Sequence, residues 1–416
     1  MADITNSDTP LLPLTGFQKL MIALGTVSLG AGMTINFVVV APLAREAGLT
    51  ELEIAGILVF SSVLYAVFTP IWGRIADRIG RKRVMVFSLV AMGLMNMVFL
   101  FALSAALAGI VTGVMAFLLL AFVRIGFGLL APGLQPAAMA ALTDATTPAT
   151  RAAGLGMLGA AMSFGSILGP AGAAVLARIS ALAPLWGTII FNLVVAAIIA
   201  VALPRTRPRP PGLKRPPPLS MRDPRVFPHL VFLFVYFMAV GMIQQTIGWF
   251  IADRYKFVDT ATQTADQAVV LHTGIVMACA SIAILIVQFG YVSRRQPDPR
   301  RILPVGLGLL AVGYVSAILF HPFWVVMTGF LIVGVGAALA VPAANALGSL
   351  SVNRDEQAGA AALLASAPPA GFVVGPLLGS ALYMWNHNLP FLGSAIVFCI
   401  LSAYALLVTA KRPLGK

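Results

Sequence analysis

Charged residues are rare in this sequence, and the densest group of them lies between two long apolar runs. Six fall within ten positions: Arg74, Asp77, Arg78, Arg81, Lys82 and Arg83. The carboxylate of Asp77 can pair with the neighbouring guanidinium groups, while Gly73 and Gly80 permit a tight turn and close helix approach. Cations alone would serve as a topology anchor. The added carboxylate and glycines favour an electrostatic latch.

Three further ionisable residues could handle a charge or a proton. Arg124 lies near the centre of an apolar run, His272 lies more than a turn inside another, and Asp253 marks the outer end of a third. Ionisable residues at membrane depth are functional candidates because their burial is unfavourable. Arg124 could instead snorkel or bond backbone carbonyls, and His272 could stay neutral with one structural partner. All fourteen Asp and Glu lie in tails, loops or helix ends, so the candidates for carrying a proton are Asp77, Asp253, Asp266 and His272. We assign proton coupling to Arg124, His272 and Asp253.

Amide and aromatic side chains supply the neutral polar chemistry of the apolar runs. Asn36 lies in the first run, and the seventh contains Tyr236, Gln244, Gln245 and Trp249. An apolar cavity with a few neutral hydrogen-bonding groups suits amphipathic organic molecules. Interhelical hydrogen bonding is the alternative role for the amides. The segment "GMTINF" at 32–37 resembles "GMIQQT" at 241–246, at an offset of 209 residues, and this alignment sets Asn36 and Gln245 at equivalent positions. The paired placement favours substrate binding for this group of five.

Catalysis and nucleic-acid binding find no support in the sequence. The four His lie on different segments without metal-ligand spacing, and no nucleophile triad or phosphate loop appears. We therefore expect neither enzymatic activity nor a metal or other cofactor. The net charge of +13 could suggest a nucleic-acid partner, but 22 of the 27 Lys and Arg fall in segments on one side of the predicted membrane spans. This asymmetry predicts cytoplasmic termini and an affinity for anionic lipid, without nucleic acid.

The elements that must position these residues are membrane-spanning helices. The chain is 59% hydrophobic and 10% charged, whereas a soluble domain carries about 25% charged residues. Apolar runs of about 20 residues suit a spanning helix. Twelve runs qualify: 17–42, 52–73, 83–106, 109–132, 153–178, 184–203, 227–251, 267–292, 302–320, 323–348, 358–384 and 388–410. The fold class expected is an all-α membrane protein.

The twelve runs form two similar halves of six runs each. A Pro-rich basic segment, 204–226, separates the spans of 1–203 from those of 227–416 and predicts a cytoplasmic linker between two six-helix bundles. The halves repeat at an offset of 206 residues, which aligns Pro136 with Pro342, Gly165 with Gly371, Gly169 with Gly375 and Pro170 with Pro376. Duplicated, pseudo-twofold-related halves are typical of secondary transporters whose substrate site lies between them.

These motifs resemble the major facilitator superfamily, and specifically its twelve-helix drug/proton antiporter branch. The resemblance covers the whole chain. Gly73 to Lys82 is similar to the family's latch motif, which implies a gating role for Gly73, Asp77, Arg78, Gly80 and Arg81. "RIGFG" is similar to the family's R-x-x-x-G, which implies that Arg124 takes part in proton coupling. The fifth run matches the antiporter glycine pattern at Gly165, Gly169 and Pro170, which implies a gating helix, with Gly375 and Pro376 as equivalents.

The expected function is export of a small organic or amphipathic molecule, a drug-like compound or metabolite, in exchange for protons by alternating access. A proton-coupled symporter or facilitator for uptake of a nutrient is the alternative, favoured by the lack of carboxylates within the spans and opposed by the fifth-run glycines. The expected partners are a small-molecule substrate, protons and membrane lipid. We expect a multidrug-efflux monomer in the inner membrane, with both termini cytoplasmic.

Overall fold

The computed structural model describes residues 14–146, 148–204, 220–295, 297–353, 356, 360, 363–364 and 366–410. Within these residues every regular element is a helix, and twelve helices are long and apolar enough to cross a membrane. The helices are α1 Gly16–Glu46, α2 Glu51–Ile79, α3 Arg81–Leu107, α4 Gly113–Asp144, α5 Pro148–Leu176, α6 Ala183–Ala202, α7 Phe227–Tyr255, α8 Ala265–Arg295, α9 Pro299–Leu319, α10 Phe323–Ser349, α11 Ala367–Trp385 and α12 Leu389–Ala410. The helix suits this role because it satisfies its own backbone hydrogen bonds in lipid. The predicted all-helical class and the twelve spans are confirmed.

The helix ends show where hydropathy misplaces a boundary. The helix α2 was expected to end at 73, but it continues to Ile79, so Gly73 and Asp77 are helical. This corrects the prediction that they lie in a loop. Long basic side chains near a helix end can reach the interface, so charged residues need not terminate a spanning helix. Only Gly80 separates α2 from α3. Its φ of 101° lies in a backbone region that residues other than glycine rarely adopt.

The chain divides into two compact units, Met1–Leu213 with Phe257–Leu271 and Lys214–Lys256 with His272–Lys416. The predicted division at 204–226 remains a prediction, and residues 205–219 of that linker lie outside the described part. In the first unit, α1 packs along α5, α3 along α6, and α2 along α4. A buried aliphatic core that includes Leu89 and Leu134 joins them. These pairs fix the positions of α1, α2 and α4, which carry the polar residues described below.

In the second unit, α7 packs along α11, and α9 packs along both α10 and α12. An ion-pair network lies before α7. Arg225 contacts Asp223 and Glu356 at 2.8 Å each, and so joins the segment before α7 to a residue of the segment that precedes α11. The Arg225 guanidinium lowers the pKa of both carboxyl groups, chiefly through the hydrogen bonds that it donates to them. This network is an exposed electrostatic contact whose strength depends on pH.

Candidate functional site

Arg124 on α4 and Asn36 on α1 form a direct polar contact inside the first unit. The Arg124 Nη2 donates to the Asn36 Oδ1 at 2.7 Å, and the Asn36 Nδ2 donates to the Gly32 carbonyl at 2.8 Å. Asn36 opens a π-helical turn, Asn36–Val40, a distortion that often marks functional sites. The structure thus brings together two residues that the sequence assigned to separate roles, and Asn36 orients the guanidinium.

The surroundings of Arg124 are aromatic. Only 3% of the residue is exposed. Its guanidinium carbon lies 4.1 Å from the Phe99 ring centre and 5.6 Å from that of Phe127. The Phe127 ring stacks with Tyr65 at 6.4 Å. The buried Nε of Arg124 and the buried Tyr65 hydroxyl have no hydrogen-bond partner among the described residues. A fixed cation and an aromatic hydroxyl can therefore act as donors beside one phenylalanine.

Arg81, the first residue of α3, shows a different environment. It is 2% exposed, and its Nη2 lies 3.1 Å from Asp77 Oδ1 and 3.0 Å from Asp144 Oδ2. The single-residue break at Gly80 brings the start of α3 back beside the end of α2. The arrangement ties the end of α2, the start of α3 and the end of α4 together through one buried guanidinium. Of the other predicted latch residues, Gly73 approaches Pro136 of α4, and Arg78 is exposed in the last turn of α2.

Asp253 lies near the end of α7 and contacts two residues that the sequence analysis did not single out. The Tyr383 hydroxyl donates to the Asp253 Oδ2 at 2.6 Å, and the His387 Nε2 lies 3.6 Å from the same oxygen. The Tyr383 and His387 rings stack at 4.6 Å. A pocket of about 420 Å³ opens onto this cluster, lined by Phe250, Asp253, Arg254, Trp385, Asn386, His387 and Asn388. Carboxylate, phenol and imidazole together can accept, hold and release a proton.

The other predicted residues of the second unit occupy separate surroundings. Gln245 is fully buried, and both of its amide atoms lack a hydrogen-bond partner in the described part of the chain. Trp249, also fully buried, packs against Tyr383 at 5.7 Å between ring centres. Tyr236 is enclosed by Phe237 and Phe398. Gln244 is half-buried. His272 packs edge-on against Phe323 at 4.8 Å, away from the pocket at Asp253.

The predicted gating glycines lie at helix crossings. A Cβ built on Gly165 of α5 would meet the Val27 carbonyl of α1 at 2.0 Å, so only glycine permits this approach. Gly169 faces Thr34 on α1 in the same way, and Gly375 faces Met238 on α7. Pro170 and Pro376 both lie inside continuous helices, α5 and α11. The aligned glycines therefore make corresponding helix–helix approaches in each unit.

Sequence reasoning did not find four residues of these sites: Tyr65, Asp144, Tyr383 and His387. Each partner lies far along the chain, since 130 residues separate Asp253 from Tyr383. A polar side chain near the end of an apolar run was the available signal, and His387 fits it, whereas Asp144 lies twelve residues beyond the predicted end of the fourth run. No group of His, Cys, Asp or Glu that could hold a metal occurs among the described residues.

Comparison with known proteins identifies relatives along nearly the whole chain. The model of the Major Facilitator Superfamily matches residues 22–296 and 262–416. The chain is 25% identical over 388 residues to Multidrug resistance protein 1 of Bacillus subtilis (strain 168), covering 92% of this chain and 93% of that protein. It is 25% identical over 364 residues to the class B Tetracycline resistance protein of Escherichia coli, covering 85% and 84%. An inward-facing bacterial homolog to the human lysosomal transporter Spinster shares the fold, with a TM-score of 0.69, 15% identity and coverage of 95% and 96%.

Proposed function

Since the chain belongs to the Major Facilitator Superfamily, we propose that it exports a small organic or amphipathic molecule in exchange for protons. Members of this family are transporters and not enzymes, and the chain is a multi-pass membrane protein with twelve membrane-capable helices in its described part. Two relatives are named for multidrug and tetracycline resistance. Removal of a compound from the cell is how a transporter provides resistance. These names support the outward direction and a drug-like compound or metabolite as substrate.

The observation that carries proton exchange is the Asp253 cluster. A coupled exchanger needs a group that takes up a proton on one side and releases it on the other. Asp253 fits because its carboxylate is 22% exposed, contacts Tyr383 and His387, and borders an open pocket. Arg124 is the proposed fixed cation of the first unit, and His272 is the remaining proton candidate.

Alternating access requires contacts that hold one state and break in the other. The pairing of Arg81 with Asp77 and Asp144 is our candidate for the latch, because a buried guanidinium with two carboxylates can exchange partners. The close glycine crossings of α5 and α11 are the candidate gating surfaces, since small residues let helices slide at short range. Asn36, Tyr236, Gln244, Gln245 and Trp249 remain the proposed substrate contacts. The unpartnered amide of buried Gln245 supports its place among them.

The proposed location is the inner membrane, with both termini in the cytoplasm. The basis is the charge distribution, because Lys and Arg concentrate in the segments assigned to the cytoplasmic side. Thiol labelling of single cysteines tests this orientation. For that purpose, Cys279 and Cys399 would first be replaced by serine. A cysteine introduced in the 220–226 segment should react only when the reagent reaches the cytoplasmic face.

Proteoliposomes with an imposed pH gradient test the exchange. Tetracycline and 1-naphthalenesulfonate serve as probes, and an enclosed pH dye reports proton movement. We expect substrate and protons to move in opposite directions, and we expect Asp253→Asn to abolish the coupling. Asp253→Glu is the matched control, because it keeps the carboxylate and should retain coupling in part. Movement of substrate and protons in the same direction would instead establish symport, and substrate flow without proton movement would establish a facilitator.

A further inference from the structure

We propose that Arg124, together with the Tyr65 hydroxyl, binds the negatively charged group of the transported molecule. The substrate is then an anionic amphipath, with one acidic group attached to an apolar, aromatic-sized body. This inference rests on the proposed transport function and specifies its substrate class. It starts from a difference between the two buried arginines of the first unit.

Arg81 and Arg124 are almost equally buried, with 2% and 3% of the residue exposed. Arg81 has two carboxylates within 3.1 Å. Arg124 has none among the described residues, and its hydrogen-bond acceptor is the neutral Asn36. An uncompensated cation in a low-dielectric interior is strongly unfavourable, and arginine keeps its charge. The site therefore has the electrostatic character of a binding position for an anion.

The available hydrogen-bonding groups have the matching polarity. The Arg124 Nε is buried and has no acceptor in the described part of the molecule, and the same holds for the Tyr65 hydroxyl. An N–H and a phenolic O–H can both donate to one anionic oxygen group, and charge-assisted bonds of this kind are the strong ones. The side-chain carbonyl of Asn36 accepts a hydrogen bond from a third donor, the Arg124 Nη2, and so fixes the orientation of the guanidinium plane. A cationic substrate would meet repulsion here.

The aromatic walls indicate what should accompany the charge. The Phe99 ring centre lies 4.1 Å from the Arg124 guanidinium carbon, and Phe127 contacts both Arg124 and Tyr65, at 5.6 Å and 6.4 Å to its ring centre. These rings offer apolar surface next to the charged group. Small hydrated anions would lose solvation without gaining apolar contact. An aromatic sulfonate or carboxylate gains both the hydrogen bonds and the apolar contact. We therefore expect binding to require the charge and the apolar body together.

Three naphthalene probes of matched size test the charge requirement. They are 1-naphthalenesulfonate, the neutral 1-naphthalenesulfonamide and the cation (1-naphthylmethyl)trimethylammonium. Binding is measured by isothermal titration on the full chain in detergent, without a pH gradient. We expect the sulfonate to bind about tenfold or more tightly than the sulfonamide, as charge-assisted bonds to a buried donor imply. We expect weaker binding still for the cation, and no detectable binding of methanesulfonate, which lacks the apolar body.

Arg124→Gln should remove the preference for sulfonate while leaving the binding of sulfonamide nearly unchanged. Tyr65→Phe keeps the ring and should lose about fivefold for the sulfonate alone, as expected for one hydrogen bond. Lys19→Gln removes one positive charge elsewhere in the first unit and is the matched control. A preference that survives Arg124→Gln, equal binding of sulfonate and sulfonamide, or tighter binding of the cation would overturn the proposal. If Arg124→Gln fails to fold, the effect of Tyr65→Phe and the affinities of the unmodified chain for the three probes still test the proposal. Loss of proton coupling in proteoliposomes would refute the exchange mechanism without affecting these affinities.

Discussion

At the crossing of α1 and α5, we expect two substitutions of the same kind to differ sharply in their effect on thermal stability. Gly165→Ala and Gly172→Ala each add one methyl group to α5. A Cβ at 165 would lie 2.0 Å from the Val27 carbonyl oxygen, whereas a Cβ at 172 would have nothing within 4 Å. Helix propensity favours alanine equally at both positions. Any difference between the two variants therefore reports the contact with α1.

The geometry sets the expected size of the effect. To reach an ordinary contact of 3.4 Å, the two helix backbones must move apart by about 1.4 Å at Gly165. Overpacking of this kind typically costs about 1–3 kcal/mol, and contact with a rigid backbone carbonyl places Gly165→Ala at the upper end. For a unit of about 200 residues, 3 kcal/mol corresponds to a fall in melting temperature of about 6–12 °C. Gly172→Ala should leave the melting temperature unchanged or raise it slightly.

Thermal unfolding in detergent, followed by tryptophan fluorescence, measures both variants against the unmodified chain. Because α1 also carries Asn36, Gly165→Ala should disturb the 2.7 Å bond to Arg124 and reduce probe binding as well. Gly172→Ala should retain binding. Equal melting temperatures for the two variants would refute the reasoning, since they would mean that the close approach does not constrain the helices.

Three further outcomes follow from other contacts. Asp77→Asn and Asp144→Asn should each be mild because Arg81 keeps one carboxylate. The double variant should lose about 3–5 kcal/mol, as for an unpaired buried ion, so additive falls in melting temperature would contradict shared pairing. The carboxyl groups bound by Arg225 have lowered pKa values, so their stabilisation is present above about pH 4 and is lost below it. The melting-temperature difference between Arg225→Met and the unmodified chain should therefore shrink from pH 6 to pH 3, and a constant difference would exclude this linkage. Tyr383→Phe removes the 2.6 Å hydrogen bond to Asp253 and should slow proton-coupled exchange about fivefold, with unchanged affinity for the sulfonate. An unaffected exchange rate would show that the Tyr383 hydroxyl takes no part in proton transfer.

Local sequence properties were sufficient for the helices and insufficient for their partners. Hydropathy is read from neighbouring residues, so twelve apolar runs predicted twelve helices that the structure contains. Boundaries failed at 73–79, where charged residues continue the helix α2 instead of ending it. Burial of Arg124 was also predictable, because the residue lies within an apolar run. Its bond to Asn36 was not, since 88 residues separate the pair and only the packed helices bring them together.

The same reasoning explains why the sequence assigned Asp77 to a latch without identifying Arg81 as its partner or Asp144 as the second carboxylate. Its sequence neighbours include four arginines and a lysine, so the pattern alone could not select Arg81. Selection depends on burial, which the turn at Gly80 imposes on that one side chain, and on Asp144, which arrives at the end of α4. In this chain, charge type and approximate depth were visible in the sequence. The choice of partner is a property of the tertiary structure.

If Arg124 binds an anionic cargo as proposed, its buried guanidinium also determines how membrane voltage acts on transport. A monoanion that leaves the cell while a proton enters moves two elementary charges in the direction favoured by an interior-negative potential. Each elementary charge that crosses 100 mV changes the free energy by about 2.3 kcal/mol, so such a cycle gains about 4.6 kcal/mol per 100 mV. A neutral cargo would forfeit half of that driving force, and a monovalent cation would forfeit all of it. An anionic cargo would thus make the electrical potential a power source for the proposed export, in addition to the proton gradient.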